Sequence, residues 1–294
     1  MSANLTTLEA AYDGQIRGPG GIAAFFEIAE RLRPSLDEAG LYLLHKGSAR
    51  AYGILGDTAR ARAEARRALE LVPDDFYSTY LLANLDLEGA APVAACLRCA
   101  HELLPRGQAL TGFALRALAE CSAMLCRFEE AGSYVVRHEA HMPFRTELRP
   151  RLELMAGDPE AAEVSAREVV EEQERAGDLG HGGGSLAVLA RAVFMQGKDP
   201  LPLLATLERW LAPGDVWGQA QLRALRGRAT EDAELAREAV VLLEPTEYLN
   251  ARAEVLLDLF ALTGEGADRA LELYEQKGNE FGAQLVRDLV ESGE

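Results

Sequence analysis

Apolar and small residues recur every three to four positions along the chain, and no stretch alternates with the period of two that a strand requires. That pattern predicts an all-α protein built from consecutive helix pairs. The clearest pair occupies residues 44–73, where Ala49, Ala61, Ala65 and Ala68 stand where two antiparallel helices must touch. Small side chains let the helices approach closely at one end, and the ring of Tyr52 fills the wider end. Leu55-Gly56-Asp57 is the expected turn: the glycine ends the first helix and Asp57-Thr58 caps the second, which Pro73 stops.

The same punctuation repeats. Pro105 follows Pro73 by 32 residues, Leu87 and Ala100 take the places of Leu55 and Ala68, and Asn84 replaces Tyr52. A looser first unit pairs 5–12 with 21–32 across Gly18-Pro19-Gly20-Gly21 and keeps Phe26, Ala29 and Pro34 in register. A fourth pair ends at Pro143, with Ala119, Ala131 and Val135 in register, and a fifth covers 152–176, its second helix opened by Asp158-Pro159. Gly180-His181-Gly182-Gly183-Gly184 is the strongest helix breaker in the chain. Beyond it, pairs are expected at 186–196 with 201–211, 216–225 with 232–243, and 248–262 with 268–276. Residues 281–290 suit a capping helix that shields the open end of the array.

Small contact residues, a filling aromatic and a closing proline at this period resemble the tetratricopeptide repeat family. The resemblance implies a right-handed α-solenoid of antiparallel helix pairs, a superhelix whose inner wall is lined by the first helix of each pair, and binding as the mode of action. The implied organisation is an N-terminal array over 1–179, a Gly-rich hinge at 180–184 and a C-terminal array over 185–294. The last third carries Glu238-Ala239-Val240, Tyr248-Leu249-Asn250-Ala251-Arg252-Ala253-Glu254 and Leu273-Tyr274-Glu275-Gln276-Lys277-Gly278-Asn279. It is similar to the repeat tails of large bacterial signalling ATPases, nucleotide-cyclase-like proteins and MalT-type regulators. That likeness implies a regulatory setting and brings no nucleotide site. The phosphate-loop pattern G-x-x-x-x-G-K-[ST] is absent: Gly197-Lys198 is followed by Asp199, and Ala192 stands where the first glycine belongs.

Charge narrows the partners. A formal net charge of −17 over 294 residues repels phosphate backbones and anionic membrane surfaces, so neither nucleic acid nor membrane is an expected general partner. No run of about 18 uncharged apolar residues exists. The start MSANLTTLEA lacks the basic-then-apolar pattern of a secretory signal, and four cysteines in this length make no disulfide framework. The expected setting is the cytoplasm, with free thiols.

Catalysis finds no constellation. His181-Gly182-Gly183-Gly184 resembles the oxyanion loop of lipase-like hydrolases, but the nucleophile elbow G-x-S-x-G and its strand are missing. Cys96, Cys99, Cys121 and Cys126 fall on neighbouring helices, yet zinc would need all four thiolates about 2.3 Å from one point. No metal or cofactor is expected. His138 and His141 are read as a solvated face, and Arg60–Glu64 and Glu64–Arg67 as surface lacing.

Binding is the stronger reading. Lys46, Arg50, Arg116 and Arg151 are expected on the inner wall, with Asn84 near it and Phe113 and Phe144 as apolar anchors. Together they suit a scaffold that grips an acidic peptide or chain terminus through charge-assisted hydrogen bonds. A small-molecule sensor closing about the 180–184 hinge is the alternative. A monomer or weak homo-oligomer is expected.

Overall fold

The computed structural model describes residues 3–15, 21–177, 179–212 and 214–292. Among them every long element is an α-helix, one 3-10 turn covers Arg33–Ser35, and no residue lies in a strand. Two compact units emerge, one from residues 1–86 with 212–216 and the other from 87–211 with 217–294.

Unit 1 holds α1 (Ala3–Asp13), α2 (Gly21–Leu32), α3 (Glu38–Ile54), α4 (Thr58–Leu71) and most of α5 (Phe76–Glu88). Its helix starts follow from side-chain capping: Asp37 accepts from the Gly40 amide and Asp57 from that of Arg60. Gly56, at φ 76°, turns the chain between α3 and α4 in a conformation that glycine adopts without a Cβ penalty. Ala49, Ala61 and Ala65 are fully buried and pack with Leu81 and Leu85 beside Tyr52, the close approach their size predicts. The Gly18–Gly20 loop lies outside the described residues.

Unit 2 continues with α6 (Val93–Leu103), α7 (Gln108–Met124), α8 (Phe128–His141), α9 (Leu148–Met155), α10 (Pro159–Ala176) and α11 (Leu179–Met195). It goes on through α12 (Leu201–Trp210), α13 (Val216–Thr230), α14 (Ala233–Leu243), α15 (Leu249–Thr263), α16 (Ala267–Lys277) and α17 (Glu280–Ser292). Chain neighbours pack as pairs, α7 on α8, α10 on α11 and α15 on α16 among them. Asp158 and Asp232 cap α10 and α14. Leu186, Leu189, Leu204, Leu207 and Leu222 form one core cluster of this unit.

Three expectations change. The Gly180–Gly184 run is not a linker between helices, because α11 begins at Leu179 and runs through it; the preceding helix closes at Gly177, φ 68°. Each glycine disfavours a helix by about 1 kcal/mol, so tertiary contact decides: a Cβ on buried Gly183 would already touch Leu211 and Leu207, at 3.5 and 3.9 Å. Helix α17 packs on α7 as well as α16, and Phe281 meets Phe128 edge-on at 5.6 Å. Beside it the fully buried Lys277 donates from Nζ to the carbonyls of Gly89 and Ala91, at 2.8 and 2.7 Å, so the end of α16 meets the turn between α5 and α6.

His138 is core, not surface. It is 2 % exposed, with Nδ1 2.8 Å from the Gly112 carbonyl and Nε2 3.2 Å from Thr146 Oγ1; His141 is exposed. Position 138 faces α7, and both imidazole nitrogens find partners there, which makes burial tolerable. Arg60 turns to Asp57 at 2.9 Å and covers the Tyr52 ring, while Glu64 takes His45 and Arg67, both at 2.6 Å.

Candidate functional site

The seven residues expected along one wall fall into two groups. Lys46, Arg50 and Asn84 belong to unit 1, and Phe113, Arg116, Phe144 and Arg151 to unit 2. In unit 1, Lys46 donates to the Tyr42 hydroxyl at 3.1 Å, lies 3.6 Å from Asp75 and sits over the Tyr42 and Tyr77 rings. Arg50 covers the Tyr12 ring at 5.2 Å. Asn84 keeps a buried Oδ1 without a hydrogen-bond partner. These cations are spent on neighbouring rings and carboxylates. Phe113 is buried in the core, and Phe144 is exposed on the α8–α9 connection.

Unit 2 brings Arg116 and Arg151 together, inside a set of carboxylates. Arg116 on α7 bonds Glu120 at 2.8 Å and Glu88 at 3.3 Å, with Glu147 at 3.7 Å. Arg151 on α9 has Glu88, Glu120 and Glu254 at 3.9, 4.0 and 4.0 Å. The network continues through Glu254 on α15, which accepts from Gln221 of α13 at 3.1 Å. Arg191 of α11 forks onto Asp258 of α15 at 2.7 and 3.1 Å, and Arg228 of α13 approaches the same carboxylate at 3.5 Å. One charged wall therefore draws on the end of α5 and on α7, α9, α11, α13 and α15.

The charges on this wall are opposed and unevenly satisfied. Burial pushes the Glu88 carboxyl above its usual range, and Glu120 adds to this against Arg151 and Arg116. Burial also works to raise Glu120, but Arg116 and Arg151 outweigh it, and that carboxyl stays low. Arg151 loses hydration, yet Glu120, Glu88 and Glu254 hold its guanidinium firmly charged. Tyr274 of α16, only 4 % exposed, lies within electrostatic reach of Glu254, Arg191, Asp258 and Arg151; burial first, then Glu254, raises its phenol well above the ordinary value.

Sequence reasoning found Arg116 and Arg151 and missed their partners. A signal was present: Arg116/Glu120 and Glu147/Arg151 are opposite charges four residues apart. Spacing alone reads as ordinary lacing, since the cross-helix partners are remote in sequence.

Other candidates carry less. Cys96 and Cys121 are buried, Cys99 is half-buried and Cys126 is exposed. No group of three or more His, Cys, Asp or Glu side chains is disposed to hold a metal among the described residues. An open cleft of about 970 Å³ lies away from the wall, between the start of α10 and the end of α11. Its central Glu163 is already clamped by Lys198 and Arg167, both at 2.6 Å, which hold its carboxyl down at about 2. No helix of the described residues is long and apolar enough to cross a membrane. No protein-family model matches the chain, and no curated protein matches it.

Proposed function

We propose that the protein is a non-catalytic helical-repeat module of the tetratricopeptide kind, binding a protein or peptide partner at the charged wall of unit 2. Its setting on this reading is the regulation of a bacterial signalling or transcription protein, the context implied by the last third of the sequence. One observation carries the binding reading: Arg116 and Arg151 stand among Glu88, Glu120, Glu147 and Glu254, contributed by four separate segments of unit 2. Holding so many half-buried charges together costs desolvation that apolar packing would avoid, which is the usual mark of a recognition surface. The surface is not a free basic strip. Four carboxylates surround two guanidiniums, so a purely acidic segment meets repulsion, and a partner must bring charge of both signs or displace an existing pair.

The test is affinity capture from a cell extract with the wild-type chain and an Arg151→Gln variant, both first shown to melt alike by circular dichroism. A protein retained by the wild type and lost with the variant supports the wall as the binding surface. Equal capture by both places binding elsewhere and ends this reading.

A further inference from the structure

The open cleft between the start of α10 and the end of α11 is tied together across its floor. Gln196, just past α11, reaches back to α10, where its Nε2 donates to the Pro159 carbonyl at 3.0 Å and to Glu163 Oε2 at 2.9 Å. Lys198 and Arg167 close on the same carboxylate, both at 2.6 Å. The floor is thus fixed before any partner arrives, which lowers the ordering cost of binding.

Two apolar side chains stand open in this recess. Val164 of α10 is 63 % exposed and Met195 of α11 is 51 % exposed. The core-facing side of α10 is complete without Val164, since Ala162, Ala166, Val169 and Val170 are all buried. Val164 instead shares an outward stripe with Glu160, Arg167, Glu168 and Glu171, at steps of three or four residues. A lone exposed valine is ordinary. A valine and a methionine from two helices lining one recess of about 970 Å³ offer a place for an incoming apolar side chain.

The rim selects the charge of whatever carries that side chain. Asp158, Glu160, Glu163, Glu168 and Glu171 line the cleft against two cations, Arg167 and Lys198. Both cations are held by Glu163, and Arg145 reaches Glu168 from outside the lining. Glu160 and Glu171 are exposed and enter no ion pair among the described residues. The dipole of α10 is positive at this end, but it amounts to about half a charge against several full ones. An anion therefore meets repulsion here, and a cation meets carboxylates. Glu160 stands one turn before Val164 and Glu171 two turns after it, about 16 Å apart along the helix. An extended segment of about five residues spans that length.

We infer that this cleft docks a basic segment of a partner protein, its apolar side chain entering beside Val164 and Met195 while Lys or Arg residues on either side meet Glu160 and Glu171. The cleft is a second surface, and it stands whether or not the charged wall binds.

The experiment measures binding of synthetic peptides to the full chain by fluorescence anisotropy. Salt at about 0.15 M screens long-range attraction to the acidic surface. The probe carries two lysines at each end of a short stretch centred on leucine. One comparator replaces the lysines with glutamates, and another replaces the leucine with serine. The probe should bind at least about tenfold tighter than either comparator. Glu160→Gln/Glu171→Gln should weaken it about threefold to tenfold, and Val164→Ser about fivefold. Melting temperatures should not change, because all three positions are exposed. The charge-matched pair Glu265→Gln/Glu291→Gln, exposed and outside the cleft, should leave affinity as it is.

The inference is overturned if the comparators bind as well as the probe, if the control pair weakens binding as much as the cleft pair, or if Val164→Ser leaves affinity unchanged. Loss of peptide binding with Arg151→Gln, while the cleft variants bind normally, would move the segment to the charged wall and likewise end the cleft assignment.

Discussion

His138 is an imidazole held by two fixed partners at the α7–α8 contact, and its protonation is coupled to folding. Burial lowers its pKa, Arg116 adds to this, and the Gly112 carbonyl, Glu139 and Glu147 oppose it. With Nδ1–H donating to Gly112, Nε2 is left to accept from Thr146, which is the neutral ring. The unfolded chain takes up a proton near the ordinary value of about 6.5, before the folded one does. The contribution of His138 to stability is therefore complete above that value and is lost as pH falls through the lower folded pKa. A His138→Gln variant should show a flatter dependence of melting temperature on pH between about 7 and 5 than the wild type, whatever its absolute stability. Parallel slopes would mean that another group titrates in that window.

At the scale of elements, one substitution should act with opposite signs on two helices. On α17, a Cβ at Gly282 would meet three atoms of the Tyr274 ring at 2.6–2.7 Å, so Gly282→Ala forces α16 and α17 apart and should cost about 1–3 kcal/mol in urea denaturation. On α8, Gly132 is exposed and a Cβ there meets nothing within 4 Å, so Gly132→Ala should stabilise by about 1 kcal/mol through helix propensity alone. Comparable costs at both sites would remove the packing argument. The contrast also marks what was legible in the sequence. Helix existence was written in periodicity and in local chemistry: Asp57 and Asp158 cap where their spacing to the following turn predicts, and the alanines of α3 and α4 are buried together. Helix continuation through Gly180–Gly184 was not legible, because contacts with Leu207 and Leu211 lie outside any local window. The charged wall was half legible. Arg116 and Arg151 follow from register, but Arg191 finds Asp258 across 67 residues, a pairing that only the folded chain creates.

For unit 2 as a body, the decisive contact is the one that joins its two ends. Helix α5 stops at Glu88, and a helix end leaves carbonyls without intrahelical donors. Lys277, 188 residues beyond Gly89, brings a buried ammonium to the carbonyls of Gly89 and Ala91 just beyond that end. The location suits a cation, since the helix dipole is negative there. Burying the ammonium costs hydration, so the contact is worth less than two charge-assisted hydrogen bonds added together. Lys277→Met keeps most of the stem and removes the donors; it should lower stability by about 2–3 kcal/mol. Hydrogen exchange separates a closure contact from a merely local one. If Lys277 joins the ends, amides of the α5–α6 turn and of α16–α17 should lose protection together in the variant, with α10 and α11 unchanged. Faster exchange confined to α16 would show that the lysine serves its own helix and that Phe128–Phe281 holds the ends without it.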